Sequence, residues 1–107
     1  MRGEVLKGHL DLLLLAALEA GPAHGYAIIQ SLRKRTREAL KLPEGTLYPA
    51  LHRLEAAGLL ASDWSSGDGR KRRVYALTPA GREALARERD EWGAFARAVE
   101  SVIESPS

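Results

Sequence analysis

Near the middle of the chain, Gly67-Asp68-Gly69-Arg70-Lys71-Arg72-Arg73 sets four consecutive cations on a turn hinged by glycines. Like charges held this close repel one another unless an anion lies nearby. Phosphates suit the arrangement, and each one neutralised adds salt-dependent affinity. Lys71 and Arg72 are the expected contacts, with Arg70 beside them and Arg73 turning back along its strand. Just upstream, Leu47, Ala50, Leu51 and Leu54 recur at i, i+3, i+4 and i+7, the signature of an amphipathic helix. Steps of 100° bury Leu47, Leu51 and Leu54, and turn Gly45, Pro49, His52, Arg53 and Ala56 outward with Thr46 and Tyr48 on the flanks. Small and polar groups near the N-terminal end of a helix suit entry into a DNA major groove. Arg53 could contact a guanine with both nitrogens or, more commonly, a phosphate. Each feature alone also fits a plain surface helix or a solvated hairpin. Together they match a winged helix-turn-helix, in which the helix meets base edges and the hairpin meets the backbone.

Catalytic chemistry finds little support. The three histidines, His9, His24 and His52, fall on separate predicted helices, and there is no cysteine. No Ser/His/Asp constellation follows from that placement. His9 with Asp11 could at most seed a weak metal site, and a surface or capping histidine is the commoner case. The Gly-Asp-Gly turn lacks the strand-to-helix context of a phosphate-binding loop. No metal, cofactor or enzymatic activity is expected. The rival function is a winged-helix adaptor that binds another protein, which would not need the basic turn.

The elements that must position these residues are short and few. With 107 residues, 45% hydrophobic and 28% charged, there is room for one folded domain. Net charge is +2, but residues 1–78 carry +4 and residues 79–107 carry −2. The cations fall in two groups, Arg33, Lys34, Arg35 and Arg37, and Arg70 to Arg73. No apolar run reaches the roughly 20 residues that span a bilayer. The opening Met1-Arg2-Gly3-Glu4 does not read as a leader, and the lack of cysteine excludes a disulfide frame. A cytoplasmic location is expected, with no membrane partner. Leu6 to Leu18 reads as a helix buried on several sides and stopped by Gly21-Pro22. His24 to Arg37 reads as a second helix. The third begins near Pro43, placing Pro49 inside it, or else at Thr46 with Pro49 in its first turn; the start near Pro43 is preferred, and Gly58 caps the end. Strands follow at Leu60 to Ser65 and Arg72 to Leu77. Thr78-Pro79 then opens a last helix running to about Glu104. The fold is mainly α with a small β-hairpin, in the order α-α-α-β-β-α. Residues 1–78 form the winged helix-turn-helix, and residues 79–107 a C-terminal dimerisation helix.

With these elements placed, the chain resembles the PadR family of bacterial transcriptional regulators. The resemblance rests on Leu6-Lys7-Gly8 with Leu12 to Leu15, His24-Gly25-Tyr26, Gly45-Thr46-Leu47-Tyr48-Pro49-Ala50-Leu51, Arg53-Leu54-Glu55, Gly58-Leu59, Arg72 to Tyr75, and Leu77-Thr78-Pro79-Ala80-Gly81. It covers about residues 6–100 and is similar to the smaller subfamily with one C-terminal helix. It implies a dimeric repressor of double-stranded DNA and, in some members, a flat aromatic effector near the dimer interface. The expected DNA-facing set is Tyr26, Gly45, Thr46, Tyr48, Pro49, His52, Arg53, Arg70, Lys71 and Arg72.

The last helix supports pairing independently. Leu85, Trp92 and Val99 are spaced by seven, as are Phe95 and Val102, which makes an a/d-like seam with Glu88 as a polar defect. So small a domain has little surface of its own to bury so long a helix, which favours a partner copy. Trp92 is either a hydrophobic anchor or a stacking plate for a planar ligand. Arg89 could pair with an anionic effector or fill the pocket itself. The expected effector and dimer set is Leu12, Ala16, Leu85, Arg89, Trp92, Phe95, Ala96 and Val99.

Overall fold

The computed structural model describes residues 3–105. Met1 and Arg2, half of the opening read against a leader, lie outside the described residues. In chain order the elements are α1 (Gly3–Ala17), β1 (Ala23–His24), α2 (Gly25–Arg35), α3 (Glu44–Ala56), β2 (Leu60–Ser65), a single 3-10 turn at Gly67–Gly69, β3 (Arg72–Leu77) and α4 (Pro79–Glu104). No helix among the described residues is long and apolar enough to cross a membrane.

Leucine placement decides the packing. Leu10, Leu14 and Leu15 of α1, with Leu18 just beyond it, are buried, while Leu12, Leu13 and Ala16 pack partly buried around them. This near-continuous apolar helix therefore touches α2, α3 and α4 at once. Each buried leucine contributes roughly 1.5–3 kcal/mol of transfer free energy. Leu47, Leu51 and Leu54 of α3 are sealed in the same core, on the face their spacing implies, and Ala50 joins them.

The second helix is shorter than its sequence pattern suggests. His24 is extended, with φ −83° and ψ 164°, and caps α2 by accepting the Ala27 amide on Nδ1 at 3.2 Å. The helix stops at Arg35 because Arg37 and Glu38 adopt left-handed φ values of 51° and 70°. Thr36 staples that end: its hydroxyl donates to the Leu32 carbonyl at 2.7 Å and accepts the Leu40 amide at 3.0 Å.

Helix α3 starts immediately after Pro43, whose carbonyl accepts the Thr46 and Leu47 amides, each at 3.0 Å. Pro49 thus lies inside the helix. The carbonyl that loses its donor belongs to Gly45, which is exposed and carries no side chain to crowd the ring. Gly58, at φ 80°, closes the other end.

The hairpin occupies the expected residues, with register running from Leu60↔Leu77 to Ser65↔Arg72. One strand escaped the sequence pattern. Ala23 and His24 pair antiparallel with Tyr75 and Val74, giving a three-stranded sheet ordered β1-β3-β2. Two residues carry no periodicity to detect.

Thr78 joins the sheet to α4. Its hydroxyl accepts the Gly81 amide at 3.0 Å and donates to the Gly58 carbonyl at 2.7 Å, while its own amide donates to Leu59 at 3.2 Å. Gly81, Ala84 and Leu85 are buried against the core, whereas no α4 residue after Leu85 is buried. At 1.5 Å per residue, the 26 residues of α4 extend about 39 Å. With the exposed distal half of this helix included, the described chain measures 61 × 29 × 21 Å. Leu85, expected on the outer seam, is taken up by the chain's own core instead.

A Cβ at Gly81 would run into the Leu59 carbonyl, which the Thr78 amide holds in place. Gly81→Ala should therefore destabilise the fold by about 1–3 kcal/mol. Urea denaturation measures it, and an unchanged midpoint would show that the strand and helix can separate freely there.

Candidate nucleic-acid interface

Three separate stretches converge on one open concavity of about 1240 Å³. The first turn of α2 brings Tyr26, and its last turn brings Arg33, Lys34 and Arg35. Helix α3 brings Tyr48, and the hairpin brings Trp64 and Arg70 to Arg73. The two basic clusters that stand far apart in the sequence thus line one surface.

Local contacts set each side chain. Gly25 leaves room for the Tyr48 ring, which lies where any Cβ at position 25 would stand. Tyr26 is exposed, and its hydroxyl accepts from Gln30 Nε2 at 2.6 Å. Arg33 donates through Nε to Glu38 at 2.8 Å, an exposed pair that pulls the Glu38 carboxyl below its usual range. Arg72 Nη1 lies 3.1 Å from His24 Nε2. A neutral imidazole accepts through only one nitrogen, so this contact and the helix cap on Nδ1 compete for the tautomer of His24. At the hairpin tip Gly69 has φ 75°, which glycine adopts without strain.

Arg73 does turn back along the hairpin. Its Nε donates to Ser62 Oγ at 2.9 Å, Ser62 donates to Glu55 of α3 at 2.5 Å, and Arg73 lies 3.8 Å from the same carboxylate. Gly45, Thr46, Pro49 and His52 are all exposed on α3 but stand outside the lining of the concavity. Arg53, expected beside them, is drawn elsewhere. Its guanidinium forks onto Asp11 of α1, at 2.6 and 3.1 Å.

That fork borders a second, smaller pocket of about 380 Å³ between α1 and α4, where Leu12, Asp11, Glu88, Glu91 and Phe95 surround Trp92. His9 meets Trp92 in a T-shaped contact, centroids 5.0 Å apart, with its Nδ1 2.8 Å from the Val5 carbonyl. Phe95 tilts against Trp92 as well, with centroids 6.2 Å apart. Arg89 lies outside this pocket. It forms a two-pronged pair with Glu19 at 2.8 and 3.2 Å, so its charge is answered at the end of α1 rather than offered to a ligand. Ala16 packs partly buried against the core, and Ala96 and Val99 sit farther along α4.

A family model described as the transcriptional regulator PadR-like family matches residues 14–87. That span holds all of α2, α3 and the sheet. The chain belongs to the PadR-like family of transcriptional regulators. A transcriptional regulator of Mycobacterium tuberculosis is 50% identical over 76 residues, covering 71% of this chain and 68% of its own length. Among solved structures, a transcriptional regulator from Clostridium thermocellum superposes with a TM-score of 0.87 at 29% identity, covering 94% of this chain and 99% of that one. A PadR family regulator from Eggerthella lenta gives 0.83 at 34% identity, over 95% and 88%. Family and relatives alike are transcriptional regulators, so the chemistry of the chain is recognition rather than catalysis.

Within this PadR fold, sequence reasoning missed Trp64, Gly25 and Gln30. Trp64 left a signal, as a large aromatic among Ser62, Asp63 and Ser65 that no core pattern claims. Gly25 left only its place between His24 and Tyr26. Lys34 and Arg35 were seen as charges, but only the packing of α2 beside the hairpin makes them part of the surface.

In the smaller pocket, burial chiefly, then the charges of Asp11 and Glu91, raise the pKa of Glu88. A carboxyl whose folded-state pKa is raised favours the fold while protonated, and loses that contribution as pH rises through the raised value. Glu88→Gln should hence raise the melting temperature at neutral pH, and the gain should vanish once pH falls below about 4.5, the ordinary value. Thermal melts across that range check it; a constant difference at every pH would refute the assignment.

Proposed function

We propose that this PadR regulator acts as a homodimeric repressor of double-stranded DNA that a planar aromatic effector releases. The observation that carries the dimer is the bare outer stripe of α4. Trp92 is 45% exposed, Phe95 59% and Val102 73%, with Val99 and Ile103 continuing the row. A run of large apolar side chains on a projecting helix marks an association surface. A second α4 packed along it, in the manner of an a/d seam, would cover all five. Leu85 takes no part, being sealed in its own core.

In the dimer, the outward face of α3 at Gly45, Thr46, Pro49 and His52 enters the major groove. Tyr26, Tyr48, Arg70, Lys71 and Arg72 hold the flanking backbone. Arg53 stays with Asp11 and braces α3 against α1. Reading helices about one helical turn of DNA apart would match an operator with twofold symmetry.

The effector would lie against Trp92, with Leu12 and Phe95 as apolar walls. It acts by favouring a dimer geometry whose reading helices no longer match the groove spacing, a shift between populations already sampled. Basic residues gathered from two stretches of chain into one concavity favour DNA over a protein partner, and set the adaptor reading aside.

Sedimentation should find a dimer for the native chain and a monomer for the double variant Phe95→Glu/Val99→Glu. The variant should bind duplex DNA about a hundredfold more weakly, through loss of the second half-site. A variant that remains dimeric would move the interface off α4. Titration of planar aromatic compounds into the protein–DNA complex should change both the gel shift and the tryptophan emission. A panel that alters neither removes the effector from the mechanism.

A further inference from the structure

We propose that Trp64 is a DNA-contacting residue of the hairpin, with its indole laid against the sugar–phosphate flank of the duplex and Arg73 acting as the clamp that positions it. The inference rests on DNA binding by the winged face, and it adds a residue and a kind of contact that the basic turn alone does not supply.

Trp64 shares the strand parity of Leu60 and Ser62, but the hairpin has by then run past the edge of the core. Leu60 is buried, Ser62 half-buried, and Trp64 is 61% exposed. An indole so placed leaves a large apolar surface in water without serving the fold, whereas Trp is enriched where one side meets a partner and another stays wet. Its neighbours are cationic. Arg73 is its cross-strand partner, and the guanidinium sits 5.4 Å above the ring centroid. Arg70, Lys71 and Arg72 line the same concavity, with Tyr26 and Tyr48 across it. An aromatic plate among cations disfavours a cationic partner and fits a polyanion whose sugars offer apolar edges.

The geometry is also fixed in advance. Glu55 of α3 receives Ser62, Ser62 receives Arg73, and Arg73 covers Trp64. This chain of contacts ties the hairpin aromatic to the helix that enters the groove. It also occupies Arg73, whose charge is answered by Glu55 and is therefore a tether for the ring more than a phosphate ligand.

The test uses full-length protein labelled with ¹⁵N and a mixed-sequence duplex of about three helical turns. The chain has two tryptophans, so two indole N–H signals are expected, and Trp64→Phe assigns one by its loss. Adding duplex should shift the Trp64 signal with the same midpoint as binding measured by anisotropy. Trp64→Ala should weaken binding about five- to tenfold while leaving the salt slope unchanged, because no phosphate contact is lost and the same counterions are released. Trp64→Phe should restore most of the loss. Arg73→Gln should weaken binding less than Trp64→Ala, with the slope again unchanged. Lys71→Ala, by contrast, should make the slope shallower by about 0.9 for each subunit bound.

A Trp64 signal that ignores DNA while anisotropy reports binding overturns the proposal and leaves the basic surface standing. A salt slope that falls in Trp64→Ala as it does in Lys71→Ala overturns it too, since the ring would then matter only by placing cations. Tighter binding of the single strand, followed by the Trp64 signal, would reassign the ring to unpaired bases. Absence of any binding to DNA would defeat the proposal together with the winged-face reading beneath it.

Discussion

Burial of α1 on several sides is the constraint from which the rest of this molecule follows. Leu14 and Leu15 are wholly removed from water, and they meet Leu47 and Leu51 of α3 and Leu85 of α4 in one core. A helix with apolar groups nearly all round has no stable place except between other helices. Because α1 contacts α2, α3 and α4, the helices beside the hairpin and the base of the projecting helix share a wall. Removing α1 would leave α3 without a floor and α4 without an anchor.

Two ion pairs trim the rim of that wall. Arg53 crosses from α3 to Asp11, and Arg89 crosses from α4 to Glu19. Both are exposed, and exposed pairs contribute little to stability. Their importance lies in where they send charge. Each takes an arginine that the sequence pattern could have offered to DNA or to a ligand and answers it with a carboxylate of α1 or of the turn just after it. The basic concavity is left to α2, Tyr48 of α3 and the hairpin. The pocket between α1 and α4 shares no lining residue with the basic concavity, and Arg53 borders it from α3.

The hairpin obeys a different economy. Thr78 locks its base to α4, and Glu55 and Ser62 lock its middle to α3. Toward the tip such restraints give way to a short glycine-flanked turn. A rigid base under a cationic tip suits a surface that must meet a backbone at a set angle and adjust to it locally.

Much of the fold is legible in the chain because local chemistry settles it. The apolar spacing at Leu47, Leu51 and Leu54, the Thr78-Pro79 start and the β-rich pair Val74-Tyr75 each specify an element through short-range sterics and hydrogen bonding. The boundaries that slipped were those decided from a distance. His24 left the helix because β3 pairs with it, and Arg37 left because Thr36 and Leu40 close the turn.

Sequence by itself determined the element types, the apolar faces, the two basic clusters and the family to which they are similar. Tertiary structure alone decided that Arg33 to Arg35 and Arg70 to Arg73 share a surface, that Arg53 and Arg89 are paired away, that Leu85 is core and that Trp64 is exposed. The physical reason is reach. Periodicity reports which side of an element is apolar, but a charge or an aromatic ring at its edge is assigned by whichever neighbour the packed core brings within a few ångströms.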